Sequence, residues 1–368
     1  MVGIAFTGGG TGGHIYPGLA VAFYVQKLFP CRIFWIGSVR GMDRSIVEEA
    51  GLEFFGVPSG KLRRYFSFQN LSDIVRIGAG FFAARKILGK ERPALLFSKG
   101  GFVSVPPCAA AASLGIPVFT HESDFSPGLA TRINARFAGR IFTAYEDTAA
   151  FFPEAVRARI ELTGNPVRPA FRSADPARGR AFLRLGGDER ILLILGGSQG
   201  AREINGMIRA VLPELTGPYV VVHQTGLNAE SAPDLPAAGP RYLPYSYIRN
   251  ELPHVIAAAE LVLGRSGAGT LWECAALGKP LILIPLAGSG TRGDQVENAG
   301  FFERAGAAAA LRNPSPEDVV QTVLALAGDA EKRKAMAAAA AAIGAADGAK
   351  IIAQAIAGFL KEKTEVRI

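Results

Sequence analysis

Cysteine is scarce in this sequence, with Cys31, Cys108 and Cys274 far apart along 368 residues and odd in number. No disulfide framework or paired zinc spacing can be built from them, so a reducing compartment is expected. The four histidines lack ligand spacing as well, which leaves no obligatory metal or cofactor to expect, with Mg²⁺ at most a stimulant from solution. No run approaches the roughly 18 apolar residues of a membrane span. The opening MVGIAFTGGG has no basic leader, and its apolar run stops at Gly8, too short for a signal peptide. A soluble or peripheral protein is expected, one that meets any membrane substrate from the cytoplasmic side. Nucleic-acid signatures are missing too: there is no zinc-finger spacing and no RNP-type aromatic motif, and the basic residues are mostly scattered.

What is present is apolar and glycine-rich, with 49% hydrophobic residues and 44 glycines. That mixture suits buried strands and glycine turns, not disorder. The net charge of +8 favours an anionic partner, whether nucleic acid, phosphate ligand or acidic membrane surface, and sign alone does not choose among them. The length exceeds a typical domain of about 100–200 residues, so two lobes are expected. Short apolar runs at Val2–Thr7, 32–36, 95–97, 117–120 and 140–143, bounded by Gly or Pro, read as buried parallel strands joined by helices. After Gly164-Asn165-Pro166 the pattern restarts, with runs at Ile191–Leu195, 219–222, 260–263 and 280–284. The expected fold class is therefore α/β, with two similar doubly wound lobes over 1–163 and 164–344 and a hinge near Gly164 to Arg168. The alanine-rich tail reads as helix by propensity, with Ile343, Ile351, Ile352, Ile356 and Leu360 as its anchors.

Three turns carry chemistry. Gly8-Gly9-Gly10-Thr11-Gly12-Gly13-His14 lies between a strand and a helix whose first turn is expected to contain Pro17. Its glycines let the backbone approach an anion, which the free N–H groups and positive helix end attract. A dinucleotide site is a rival, since Gly8, Gly10 and Gly13 satisfy G-x-G-x-x-G, but no acidic residue ends the second strand to bind a ribose. Gly196-Gly197-Ser198-Gln199-Gly200 is a second such turn, in which Ser198 adds a hydroxyl donor. In Arg265-Ser266-Gly267-Ala268-Gly269-Thr270-Leu271-Trp272-Glu273, a small-residue turn precedes Glu273, whose carboxylate can accept two ribose hydroxyls or merely face water. Further on, 292–298 carries amide and acid groups suited to sugar hydroxyls.

In order, GGGTGGHIYPGLAVA, GGFVSVPP, the His121-Glu122-Ser123-Asp124 loop before Gly128, TGNPVR, GGSQGAREIN, RSGAGTLWE and DQVENA closely resemble the MurG family of peptidoglycan glycosyltransferases over about residues 3 to 310. The resemblance implies the GT-B architecture of two Rossmann-like lobes with an inter-lobe cleft, and a last helix, about 345–368, packing back on the first lobe. It implies inverting transfer of N-acetylglucosamine from UDP-GlcNAc to lipid I, giving lipid II and UDP, by a hexosyltransferase peripheral to the cytoplasmic face of the cell membrane. Carried over by motif, it gives Thr11, Gly12 and Gly13 to the acceptor's diphosphate and His14 to the general base, with Glu122 and Asp124 in reserve. Arg168 and Ser198 fall at donor-contact positions. Ala268, Gly269, Thr270, Leu271, Trp272 and Glu273 wrap the nucleoside, the backbone near Ile248 and Arg249 meets uracil, and Gln295 and Asn298 face the transferred sugar.

Two positions depart from the family pattern. Many members read HEQN where this chain has Asp124 in place of the amide, and a tyrosine common in the GGYVS motif is Phe102. The departures bear on substrate contacts, so a related transferase acting on another lipid-linked sugar is the main rival. A nicotinamide-dependent oxidoreductase lacks its acidic ribose ligand, and a noncatalytic sugar-nucleotide binder would need no base. Finally, Lys61, Arg63, Arg64, Tyr65, Phe66 and Phe68, then Arg76, Phe81, Phe82, Arg85 and Lys86, mix cations with aromatics as a surface for anionic lipid would.

Overall fold

The computed structural model describes residues 2–60, 69–197, 200–228, 235–288 and 292–365. The chain divides into two compact units, Met1–Arg168 with Ala346–Ile368, and Pro169–Ala345. The first boundary lies after TGNPVR, not before it, because that segment is tied to the first unit. Thr163 N–H donates to Thr143 O (3.0 Å), and Gly164 O accepts from buried His121 (3.1 Å).

The first unit holds seven parallel strands: β1 (Val2–Thr7), β2 (Cys31–Ser38), β3 (Glu53–Val57), β4 (Leu95–Ser98), β5 (Val118–Glu122), β6 (Arg140–Thr143) and β7 (Ile160–Leu162), in the order β3-β2-β1-β4-β5-β6-β7. The order reverses between β1 and β4, so the turns leaving those two strands open at the sheet's topological switch point. Both faces are covered. Ile4, Phe6, Trp35, Leu95 and Phe97 enter one core, and Ala5, Phe34, Ile36 and Leu96 the other. Two-sided burial is why these strands are continuously apolar.

The second unit has six parallel strands: β8 (Ile191–Leu195), β9 (Val220–Gln224), β10 (Tyr242–Tyr245), β11 (Leu261–Gly264), β12 (Leu281–Leu283) and β13 (Ala308–Ala310), in the order β10-β9-β8-β11-β12-β13. Its switch point lies between β8 and β11. The chain therefore repeats one plan, two doubly wound sheets of the expected class.

The helix Gly348–Glu365 belongs to the first unit, where Ala349, Ile352, Ala353, Ile356 and Leu360 pack with Ile4, Phe6, Val21 and Trp35. Within Ala330–Lys363 a window of 18 residues reaches a mean hydropathy of 1.4, long and apolar enough by length and composition to cross a membrane. That stretch is nonetheless broken into the helices Ala330–Ile343 and Gly348–Glu365, and the latter spends its apolar face on the core. One local expectation needs correcting. Pro17 lies within the helix Gly12–Leu28, not in its first turn, and removes the N–H that would bond Gly13 O.

Candidate functional site

At the switch point of the first unit, the turn after β1 and the turn after β4 touch. A Cβ on Gly10, whose φ is +86°, would stand 2.6 Å from the Phe102 ring, and one on Gly101 would stand 2.8 Å from Gly9 O and 2.9 Å from the His14 ring. Only glycine permits that approach. His14 is half-buried with its imidazole against Gly101, and its backbone N–H donates to Thr11 O (3.1 Å). Thr11 precedes the helix Gly12–Leu28 without a side-chain capping bond, so the first-turn amides at Gly12 and Gly13 keep their positive end for an anion.

Sequence reasoning missed Asp43. Its buried carboxylate accepts from Gly10 N (2.9 Å) and Ser38 N (2.9 Å), and a Cβ on Gly9 would collide with it. Burial pushes its pKa up, and the two backbone bonds oppose that. The N–H of Gly10, expected to face an anion, is thereby spent inside the protein. Asp43 does follow the second strand, where a dinucleotide fold would place a ribose ligand, but both its oxygens are turned to the backbone. Its signal was an acidic residue a few positions past β2, legible only as a helix start.

Glu122 is corrected as a reserve base. Its carboxylate accepts from Ser123 N (2.9 Å), Asp124 N (3.0 Å) and Gly128 N (3.1 Å), so it shapes the turn after β5. Asp124 beside it is half-buried. His121 is buried, and its imidazole donates to Gly164 O. Burial first, and then the charge of Lys99, hold its pKa well below the ordinary value. Lys99 is buried too and donates to Ser123 Oγ. Arg168 lies in the first unit, its guanidinium 5.0 Å above the Tyr16 ring.

On the helix Gln69–Glu91, Ile74, Val75 and Phe82 are exposed, the last at 70%, among the exposed Arg76, Arg85 and Lys86. Arg76 pairs with Asp73 (3.0 Å), and Phe81 is half-buried. The positions from Lys61 to Phe68 lie outside the described residues, as does Ser198.

In the second unit, the parallel register aligns Leu195, Gln224, Gly264 and Leu283 at one carboxyl edge. The helix Ala268–Ala276 starts directly after Gly267, whose turn has no side-chain cap. Gly269, Thr270 and Glu273 are half-buried. Leu271 and Trp272 are buried, Trp272 edge-on to Phe302 at 6.3 Å. Their side chains are core, which corrects their assignment to a nucleoside except through backbone.

Asn298 is fully buried and donates to Ser266 O (3.2 Å), while Gln295 supplies its backbone O to Ser266 Oγ (2.7 Å) and its side-chain O to Leu286 N (2.9 Å). Both residues brace the turn before the helix, and for Asn298 that replaces the expected open contact with a sugar. Ile248 N–H is committed to Gln224 Oε1 (3.0 Å), and exposed Arg249 accepts at its backbone O from Leu252 N (3.3 Å). Arg265, also missed, donates to Ile284 O (3.0 Å) and Glu203 (2.6 Å). Among the described residues, no three His, Cys, Asp or Glu side chains form a group that could hold a metal ion.

Residues 4–143 match the glycosyltransferase family 28 N-terminal domain, and residues 191–352 match its C-terminal domain. A protein of Treponema denticola named UDP-N-acetylglucosamine--N-acetylmuramyl-(pentapeptide) pyrophosphoryl-undecaprenol N-acetylglucosamine transferase is 46% identical, over 98% of this chain and 99% of its own. Its namesake from Treponema pallidum is 47% identical over 98% and 96%. Among solved structures, Acinetobacter baumannii MurG superposes with a TM-score of 0.73 at 23% identity, covering 97% of this chain and 99% of that one, a likeness of fold.

Proposed function

The chain belongs to glycosyltransferase family 28, and we propose on that premise that it transfers N-acetylglucosamine from UDP-GlcNAc to the 4-hydroxyl of N-acetylmuramic acid in lipid I, giving lipid II and UDP. The carrying observation is the 46% identity to the Treponema denticola transferase, which runs end to end through both chains. The protein is a hexosyltransferase of peptidoglycan synthesis.

The reaction is a single in-line displacement in which the acceptor hydroxyl attacks the anomeric carbon, UDP leaves, and the configuration inverts. His14 is the proposed base, an imidazole being the side chain suited to proton transfer near neutral pH. Its contact with the Gly101 turn and its place in the first turn of the helix Gly12–Leu28 support that role, since the acceptor's diphosphate would be held at the helix's positive end. Glu273 is the proposed ribose acceptor, and the uncapped helix start at Ala268 supports placing negative charge of the UDP there. Mg²⁺ from solution is proposed only as a stimulant.

The acceptor carries a lipid, so the enzyme is proposed to work as a peripheral protein at the cytoplasmic face of the membrane, against anionic lipid. The exposed Ile74, Val75 and Phe82 beside Arg85 and Lys86 support this. Binding to anionic vesicles should weaken with salt and with Phe82→Ser, while UDP affinity stays unchanged. Vesicle binding indifferent to both would assign this face to ordinary solvent.

The test of the activity is turnover by purified protein with UDP-GlcNAc and lipid I. Lipid II and UDP should form in equal amounts. Inertness towards lipid I with turnover of another lipid-linked sugar would make the chain a related transferase.

A further inference from the structure

The turn Gly8–Gly10 has no side chain of its own, and glycine has the most backbone freedom to lose, so its shape must be imposed from outside. On one side β2 and the residues after it do this. Trp35 Nε1–H donates to Gly8 O (2.9 Å) in the buried interior. The Asp43 carboxylate takes Gly10 N–H on Oδ1 and Ser38 N–H on Oδ2, at 2.9 Å each. Ser38 is held in turn, its hydroxyl paired with Ser59 Oγ (2.8 Å) and accepting from Arg40 N (3.1 Å). On the other side the turn bears on His14. A Cβ on Gly8 would stand 2.9 Å from His14 O, and Gly101 is confined between Gly9 O and the His14 ring.

Two N–H donors on two different oxygens call for a carboxylate. An amide has one acceptor oxygen, and its NH2 would meet the second N–H as donor against donor. Bonds from backbone N–H to a charged acceptor are the stronger kind, and burial shields these from water. Asp43 opens the helix Asp43–Glu49, yet both bonds go to Gly10 and Ser38, outside that helix. Capping its own helix therefore does not account for the carboxylate.

We propose that Asp43 is a positioning residue for the transfer step: by bridging Gly10 N–H and Ser38 N–H it sets the Gly8–Gly10 turn, and through that turn the seat of the His14 ring. The proposal rests on the transferase reading above. The acceptor's diphosphate would be held by the amides of Gly12 and Gly13, which belong to the following helix and lie outside the clamp. Loosening the clamp therefore acts on the rate of transfer more than on acceptor binding.

The experiment compares wild type, Asp43→Asn, Asp43→Ala, Gly9→Ala and the double variant Gly9→Ala/Asp43→Ala as full chains. It reads kcat and acceptor KM with UDP-GlcNAc and lipid I, UDP affinity, thermal unfolding and the NMR signals of the His14 imidazole. Asp43→Asn should lower kcat about tenfold, as a small misplacement of a reacting group does. Acceptor KM should stay within about twofold, with UDP affinity unchanged. Gly9 does not have a left-handed backbone, and the three atoms nearest a Cβ there all belong to Asp43, the closest at 1.9 Å. Gly9→Ala should thus lower kcat by pushing the same carboxylate aside. With that carboxylate already gone the added methyl has room, so the double variant should be little worse than Asp43→Ala.

Unchanged kcat in Asp43→Asn with a lowered unfolding midpoint would make Asp43 a stability contact only and overturn the proposal. A loss carried by acceptor KM, or fully multiplicative kcat losses in the double variant, would overturn it as well. Should Asp43→Asn fail to fold, Gly9→Ala carries the same two readouts. If wild type proves inert towards lipid I, the transferase reading fails separately, and the His14 signals still decide the seating: a shift in Asp43→Asn and Gly9→Ala upholds it, and signals identical to wild type end it.

Discussion

His14 follows the glycine turn directly, and its ring is packed against Gly101. If it is the base, His14→Ala should lower kcat by about 10²-fold or more while UDP binding stays near normal, as expected when a proton-transfer group is removed. The acidic limb of the wild-type rate profile should vanish with it. Retained kcat with a raised acceptor KM would make His14 a binding group and pass the base to Asp124, since Glu122 is committed to three backbone donors. That commitment marks where sequence reading stopped at this scale. The motifs located the right turns, but not whether a polar side chain on them faces outward or is spent on the backbone. Asp43 and Gly10 are 33 positions apart, and Asn298 reaches Ser266 across 32. Contacts of that kind depend on the folded sheet and leave no trace in local spacing.

At the scale of elements, the central strands were legible because burial on both faces demands unbroken apolar runs. The four strands that were not, β3, β7, β10 and β13, are the edges of the two sheets. An edge strand pairs on one side and is less buried, so it tolerates Glu53 and Glu161, an all-alanine β13, or Pro244 in β10. The glycine loops and the C-terminal helix were legible for the opposite reason, that their residue types are dictated by backbone approach and by helix propensity. β9 and β10 are further joined by His223, buried between Asn205 Oδ1 (2.9 Å) and Tyr242 OH (3.1 Å). Burial depresses its pKa to about 4. The folded unit thus keeps His223 neutral where the unfolded chain, titrating near 6.5, would take up a proton. The stabilisation is present above about 6.5 and is lost as the pH falls towards 4, up to ~3 kcal/mol for this one group. Denaturant unfolding should show that slope, and His223→Gln should flatten it; an equal slope in the variant would assign acid sensitivity elsewhere.

On the scale of the whole molecule, two sheets of the same doubly wound plan each gather their glycine turns and helix starts at a switch point. In the first unit those turns adjoin His14 and the Lys99–Ser123 contact, and in the second they adjoin Glu273 and the braced turn before Ala268. Duplication of the plan was legible from the restart of the apolar pattern after Pro166, while the assignment of TGNPVR to the first unit was not, because it follows from bonds to His121 and Ser123. A basic chain with an exposed apolar helix face suits an anionic, membrane-borne acceptor and an anionic sugar nucleotide.

In the proposed reaction the hydroxyl at position 4 of the muramyl sugar displaces UDP from N-acetylglucosamine. It is tested most directly by following UDP release and product linkage with lipid I and, side by side, with lipid I lacking that one hydroxyl. Lipid I should give one β-1,4-linked disaccharide per UDP, and the 4-deoxy compound no acceptor-dependent UDP release. UDP release of equal rate from both, or an α-linked product, would contradict it.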